Sequence, residues 1–238
     1  CGRTLFARDR AGEKPLYWTL TDRGLLLASE LKALLTRPEV PRRLDVEALD
    51  QFLTYEYVIA PRTILQGVHK LPAGSWLRYR DGAVTVSRYW DPSTVAVRRW
   101  SDGDAAEALR STLARAVESQ LMADVPLGAF LSGGIDSSSI VALMSEASSV
   151  PVKTFSMGFE DGSYNELPFA RQVASLFGTE HTERLVTPDL GALFDRLVPH
   201  LDEPFADVSL FPTYLVSRVA REHVTVALSG DGGDELFG

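Results

Sequence analysis

Two short stretches of this sequence combine glycine, serine and acid in an order that suits a phosphorylated ligand. The first is Ser132-Gly133-Gly134-Ile135-Asp136-Ser137-Ser138. It follows the apolar run Leu127 to Leu131 and precedes Ile140, Leu143, Met144 and Ala147, which recur at helical spacing. Glycines in such a loop let the backbone come close to a ligand. Backbone N–H groups at the start of a helix attract anions, and the hydroxyls of Ser132, Ser137 and Ser138 add donors. Asp136 would repel a bare phosphate, so it makes sense as a Mg²⁺ ligand that bridges to phosphate oxygens. A glycine turn capped by Ser and Asp is the plain alternative. The order strand, glycine–serine loop, helix favours the functional reading.

The second stretch, Ser229-Gly230-Asp231-Gly232-Gly233-Asp234-Glu235-Leu236-Phe237-Gly238, follows the apolar run Val224 to Leu228. Its three acids would repel one another without a cation, and Asp234 as a second Mg²⁺ carboxylate resolves the conflict. Taken alone, an acidic solvated turn would also explain it. Both stretches follow strands, and open parallel sheets collect ligands at the carboxyl ends of their strands. The two loops are therefore predicted to face each other at one edge of a sheet.

The elements between them support that sheet. Val152 to Phe159 reads as a strand with Phe155, Met157 and Phe159 on one face, and Asn165 can cap a helix through Ala170, Val173, Ala174 and Phe177. His181 to Val186 is a further strand. Thr187-Pro188 opens a helix with Leu190, Leu193, Phe194, Leu197 and Leu201 inward, and another helix runs from about Leu210 to Glu222. Strands alternating with helices predict an α/β unit with a parallel, doubly wound sheet.

The N-terminal part has a different grain. Arg3 to Arg8, Leu16 to Leu20 and Leu25 to Ala28 read as strands, followed by a helical face of Leu31, Leu34 and Leu35. Asp45 is a good N-cap for a helix that buries Ala48, Leu49, Phe52 and Leu53. Asp81-Gly82 joins Trp76–Arg80 to Ala83–Tyr89 as a two-residue hairpin. The pattern loosens from Asp91 to Gly103, which places a C-terminal part of one domain at 1–95, a linker at 96–103 and an N-terminal part of another at 104–238. Ser101 with Asp104 resembles a capping box, opening a helix that buries Leu109, Leu113, Val117 and Leu121.

Composition excludes several classes. The chain has 238 residues, 45% apolar and 24% charged, with a formal charge of -8. That charge disfavours a nucleic-acid groove. No run reaches the roughly 18 apolar residues of a membrane span, and no signal-peptide pattern is visible at the start. A single cysteine forms neither a disulfide framework nor a Cys-based zinc site, so a reducing cytoplasm is the default expectation.

The first loop has no Gly-Lys-Ser/Thr ending, so it is not a Walker A loop. It resembles the PP-loop of ATP pyrophosphatases, which cleave ATP between its α and β phosphates. With the second loop, the chain resembles the glutamine-dependent asparagine synthetase family. Thr154-Phe155-Ser156-Met157-Gly158-Phe159, Asn165-Glu166 and Asp202-Glu203-Pro204-Phe205-Ala206-Asp207 fit the synthetase half. Ala7-Arg8-Asp9-Arg10, Lys14-Pro15-Leu16-Tyr17 and Lys70-Leu71-Pro72-Ala73-Gly74 resemble the end of the family's glutaminase domain. The implied fold is an ATP-pyrophosphatase sheet preceded by the end of an α+β N-terminal-nucleophile glutaminase domain.

The resemblance implies ATP and Mg²⁺, with aspartate and glutamine as further substrates. It implies that Leu131 and Met157 contact adenine, that Ser132, Gly133, Gly134, Ser137 and Ser138 hold phosphate, and that Ser229 and Gly230 touch the nucleotide. Asp136 and Asp234 would bind Mg²⁺. Asp231 is the candidate catalytic residue, at a position where many family members carry Glu near the reacting carboxylate. Neither nucleic acid nor membrane is expected as a partner. A homodimer is compatible with the family, while the sequence leaves the oligomeric state open. Relatives that close β-lactam or peptide rings, and a piece that only binds nucleotide, remain the alternatives.

Cys1-Gly2 mimics the start of a class II amidotransferase, whose N-terminal Cys attacks glutamine. The next residues resemble the far end of that domain instead, so the chain is read as a fragment and Cys1 as no nucleophile. The histidines at 69, 181, 200 and 223 lack metal-ligand spacing, and His181 is read as structural.

Overall fold

The computed structural model describes residues 2–159, 165–187 and 189–237. Cys1, Pro188 and Gly238, and with them the expectations for Cys1 and for Pro188 as a first helical residue, lie outside the described residues. The chain forms two compact units: Cys1–Val97 with Phe194–Asp207, and Arg98–Leu193 with Val208–Gly238.

In the first unit the elements are β1 (Arg3–Ala7), β2 (Tyr17–Thr21), β3 (Gly24–Ala28), α1 (Leu31–Leu34), α2 (Val46–Tyr55), β4 (His69–Lys70), β5 (Ser75–Arg80) and β6 (Ala83–Arg88). They make two antiparallel sheets, ordered β1-β5-β6 and β3-β2-β4. The β5–β6 turn places both Asp81 (φ 51°) and Gly82 (φ 79°) in the left-handed region. That is the turn whose twist matches a hairpin, and Asp-Gly is the sequence that tolerates it. Tyr17, Leu31, Leu34, Val40 and Val68 form the core over the second sheet. Asp45 caps α2 by accepting from the Glu47 and Ala48 N–H groups. Ala48 is fully buried, but Leu53, expected inward, is 74% exposed. Five residues after Ala48, it is turned about 140° around the helix, outside the buried stripe.

The second unit contains α3 (Asp102–Gln120), β7 (Leu127–Phe130), α4 (Ile135–Ala147), β8 (Lys153–Phe159), α5 (Leu167–Phe177), β9 (Glu180–Val186), the start of α6 (Leu190–Leu197), α7 (Leu210–Arg221), β10 (Val226–Leu228) and α8 (Gly233–Phe237). Its four strands run parallel in the order β10-β7-β8-β9. Alternation along the strands sorts side chains to opposite faces. Ala129 and Leu131 pack with Val141, Met144 and Ala170 on the side of α3, α4 and α5. Phe130 and Phe155 pack with Val219 and Ala220 of α7 on the other. Helices thus cover both faces, as a doubly wound sheet requires.

Caps set where the helices begin. Ser101 accepts from the Asp104 N–H, opening α3. Asn165 Oδ1 accepts from Leu167 N at 3.1 Å, one residue earlier than the helix's own N-cap position, Glu166. Asp189, rather than Thr187, supplies the acceptor at the start of α6, taking the Ala192 N–H at 3.1 Å.

Candidate active site

The strand order fixes where a site can form. From β7 the chain winds outward through β8 to β9, then returns to β10 on the other side of β7. The winding direction reverses between β7 and β10, and that reversal opens a crevice at their carboxyl ends. The loop after β7 begins with Leu131 and Ser132; the loop after β10 begins with Ser229 and Gly230. Both candidate loops therefore rise at the same crevice, as their positions after apolar strands predicted.

They touch. A Cβ placed on Gly230 would lie 2.6 Å from Ser137 N and 2.8 Å from the Asp136 carbonyl carbon. A Cβ on Gly233 would collide with the Asp136 carboxylate. Gly133, at φ 89°, passes over the start of α5 so closely that a Cβ would stand 2.6 Å from Ala170 N. The first loop is braced from two sides by backbone that admits only glycine.

Serines organise its interior. Ser137 Oγ receives the Ser132 N–H at 3.2 Å and lies 2.9 Å from Ser132 Oγ, which in turn receives the Gly134 N–H at 3.2 Å. The Ser138 hydroxyl is buried and has no hydrogen-bond partner among the described residues. First-turn N–H groups of α4 lack intrahelical acceptors and carry the positive end of its dipole. Gly134 is exposed at that terminus. Donors in excess of acceptors suit phosphate oxygens.

Beside the loop lies a cleft of about 220 Å³. Leu131, Ser132 and Met157 line it together with Phe159, Glu166 and Thr213. Leu131 is only 2% exposed, so what it offers the cleft is mainly backbone. Ser156 Oγ donates to the Leu131 carbonyl and Leu131 N donates to Phe155 O at 2.9 Å, which clamps β7 to β8 at the cleft mouth. Glu166 and the α7 residues Pro212, Thr213 and Val216 were not singled out as ligand contacts from sequence. Glu166 had only its place in the Asn165-Glu166 resemblance, and the α7 residues only a helical stretch, which cannot separate a pocket wall from a core face.

Among the described residues, no group of three or more His, Cys, Asp or Glu side chains could hold a metal by itself. Asp136 abuts Gly233, one residue from Asp234. Two carboxylates without a full cage fit a Mg²⁺ that keeps water and takes its remaining oxygens from phosphates. Asp231 is exposed at the tip of the second loop and accepts from Ser229 Oγ at 3.0 Å.

His181 sits elsewhere, at the first residues of the β8–β9 pairing, opposite Thr154. Its Nδ1 lies 2.9 Å from Thr154 Oγ1, and its Nε2 is buried without a hydrogen bond to any described residue. Burial holds its pKa below the ordinary histidine value, with Glu183 opposing and Arg171 reinforcing the shift.

A parallel sheet wound both ways, with a glycine–serine loop and a glycine–acid loop meeting at its switch point, defines a nucleotide-binding α/β unit. Comparison with known proteins narrows the class. The asparagine synthase family model matches residues 108–238, and a glutamine amidotransferase domain model matches residues 2–90. Asparagine synthetase [glutamine-hydrolyzing] 1 of Bacillus subtilis is 38% identical over 235 residues, covering 98% of this chain and 37% of the relative. A putative asparagine synthetase [glutamine-hydrolyzing] of Mycobacterium tuberculosis (H37Rv) is 39% identical over 245 residues, covering 99% and 37%. One from Methanocaldococcus jannaschii is 36% identical over 244 residues, covering 100% and 47%. The chain belongs to the asparagine synthase family. It spans between 37% and 47% of the length of these relatives.

Proposed function

We propose that the intact protein makes asparagine, using ATP to activate aspartate and glutamine as the nitrogen donor. The observation that carries this reading is the contact between the two loops, with Asp136 against Gly233 at the switch point of the sheet. One side supplies N–H and hydroxyl donors, the other supplies acids, and a magnesium-bound triphosphate satisfies both.

In the first step an oxygen of the aspartate side-chain carboxylate attacks the α-phosphorus of ATP. The bond from that phosphorus to the bridging oxygen of the β-phosphate breaks, and pyrophosphate leaves. Ser132, Ser137, Ser138 and the first-turn N–H groups of α4 hold the departing phosphates. Asp136 and Asp234 would hold Mg²⁺, which supplies charge neutralisation on the phosphate oxygens when bound. Leu131 and Met157 border the cleft that takes the adenine, and Ser229 and Gly230 meet the nucleotide from the other loop. Asp231 stands near the reacting carboxylate.

In the second step ammonia attacks the acyl carbon of β-aspartyl-AMP. AMP leaves with the bonding electrons, and the nitrogen loses a proton to give the amide. The ammonia comes from glutamine, hydrolysed by the glutaminase domain. Residues 1–95 belong to that domain and 104–238 to the synthetase domain, with 96–103 as linker. ATP and a single free cysteine fit a reducing cytoplasm. Among the described residues no helix is long and apolar enough to cross a membrane.

The test is Mg²⁺-dependent pyrophosphate release by the complete protein. Release is expected with aspartate plus glutamine or ammonia, together with asparagine formation. Release with other carboxylates and none with aspartate would overturn the acceptor assignment.

A further inference from the structure

The nucleotide cleft carries an acid that the phosphate chemistry does not use. Glu166 lines it with Met157, Phe159 and Thr213, all within the second unit. It stands immediately before α5, and the backbone around it is fixed. A Cβ on Gly158, the residue after Met157, would lie 3.0 Å from Asn165 Oδ1 and 2.5 Å from Leu167 Cδ1. Glu166 is therefore held between two residues that lie against the end of β8. It is exposed, does not cap α5 through its side chain, and its carboxylate has no hydrogen bond or ion pair among the described residues. An acid before a helix is favoured by the dipole alone. What marks this one is its place in the cleft wall.

The two ends of the cleft differ in chemistry. Ser132 belongs to the donor-rich loop that suits phosphate, where a carboxylate would repel the ligand. Gly133 of that loop meets α5 at Phe169 and Ala170, about one turn beyond Glu166, so the acid stands off the loop on the β8 side. Free backbone groups lie there too. Phe155 O accepts from Leu131 N at 2.9 Å. Strand alternation turns the N–H and carbonyl of Met157 to the same side as those of Phe155, past the point where β7 ends at Phe130. Among the described residues no backbone hydrogen bond joins Met157 to β7 or its loop. A donor beside an acceptor matches a ring edge that offers an acceptor beside a donor, as adenine does at its N1 and its exocyclic amino group.

Resting on the ATP reading given above, we propose that Glu166 is a specificity-determining residue that accepts a hydrogen bond from the exocyclic amino group of the base. That group carries two hydrogens; the Met157 carbonyl takes one and Glu166 takes the other. An ionised carboxylate accepts and never donates. Hypoxanthine and guanine carry a carbonyl oxygen at the same ring position, so two acceptors would face a third. A site built to hydrogen-bond a donor rejects the analogue that lacks it, because its polar groups are left unpaired. The acid therefore selects against 6-oxopurine nucleotides and adds nothing to the grip on phosphate.

The test uses the complete protein as wild type, Glu166→Gln and Glu166→Ala, with ATP, inosine triphosphate and 2′-deoxy-ATP, each with Mg²⁺. Values of kcat/KM for pyrophosphate release with aspartate give two ratios: ATP over inosine triphosphate, and ATP over 2′-deoxy-ATP. The first is expected to fall at least about tenfold in both variants, the worth of a hydrogen bond to a charged group. In Glu166→Gln the amide also donates to the oxo group, so part of the fall comes from faster use of inosine triphosphate. The second ratio is expected to stay within about twofold of wild type. A first ratio that falls less than about threefold in both variants overturns the inference. So does a change in the second ratio as large as that in the first, which assigns the acid to the ribose. Absence of pyrophosphate release with aspartate in wild type sinks the proposed function instead. The same two ratios, measured as dissociation constants by calorimetric titration, then decide the role of Glu166 by the same limits.

Discussion

Gly230→Ala isolates the contact on which the site depends. Its backbone is not in the left-handed region, so alanine adds a methyl group without conformational strain. That methyl would stand 2.6 Å from Ser137 N, 2.8 Å from the Asp136 carbonyl carbon and 2.9 Å from Asp136 Cβ. Two of the three neighbours are backbone at the first turn of α4 and cannot swing aside. Overpacking of this kind costs about 1–3 kcal/mol. The strain can stay in the folded chain as lost stability, or the loops can separate and lose their joint grip on the nucleotide. A retreat that removed about 1.4 kcal/mol of binding would weaken affinity tenfold. Urea denaturation and calorimetric titration with Mg²⁺-ATP read the two parts separately. The control is Gly178→Ala, at φ 63° with open space around its Cβ. It carries only the left-handed penalty of about 1–2 kcal/mol, so it should lose stability without losing affinity. If Gly230→Ala keeps both stability and affinity within error, the loops do not meet as described.

Asp136→Asn and Asp234→Asn are each expected to lower Mg²⁺-dependent pyrophosphate release more than about a hundredfold, since metal charge stabilisation is worth several kcal/mol. The double variant should fall little further, because one lost ligand already disables a shared magnesium–pyrophosphate unit; independent, additive effects across a Mg²⁺ titration would argue for separate roles. Asp202 accepts from the N–H groups of Leu31 (2.8 Å) and Lys32 (3.2 Å). Asp202→Ala removes this cap of α1 and is expected to cost about 1 kcal/mol in urea unfolding, with Asp202→Asn recovering most of it; no shift in midpoint would show the cap to be dispensable. Burial lowers the pKa of His181, with Glu183 opposing the shift and Arg171 reinforcing it. Its folded pKa lies below the unfolded value, so its contribution to stability is complete above about pH 6.5 and shrinks as pH falls below it, while the unfolded chain takes up the proton first. His69 shifts in the same direction, so His181→Gln should reduce the loss between pH 7.5 and 5.5 without abolishing it; an unchanged slope would exclude His181 as a contributor.

The parts of this molecule that could be read from sequence are those whose partners are close in the chain. Asp81-Gly82 specifies its hairpin within two residues, Asp45 finds the Ala48 N–H three residues on, and Ser101 finds the Asp104 N–H three residues on. The two glycine loops lie far apart, yet each follows a strand of one parallel sheet, and sheet topology brings such loops together without any pairwise signal. Leu53 failed because apolar character alone does not say which edge of a helical stripe is covered. The start of α6 slipped from Thr187 to Asp189 because both residues cap equally well and only the backbone decides.

The contacts of Asp202 and Glu203 were illegible for a sharper reason. Asp202 meets Leu31 across 171 residues and Glu203 meets Ile64 across 139. Nothing in Asp202-Glu203-Pro204 as a local string distinguishes an acid that caps a remote helix from one that faces water. What separates the two is the cost of burial: a carboxylate 10% exposed must find directed donors, and Glu203 finds Ile64 N and Lys70. A position that draws both partners from distant segments is a constraint on how those segments of the first unit sit. The same acid that stabilises little by itself therefore fixes where residues 202 and 203 lie against Ile64 and Lys70.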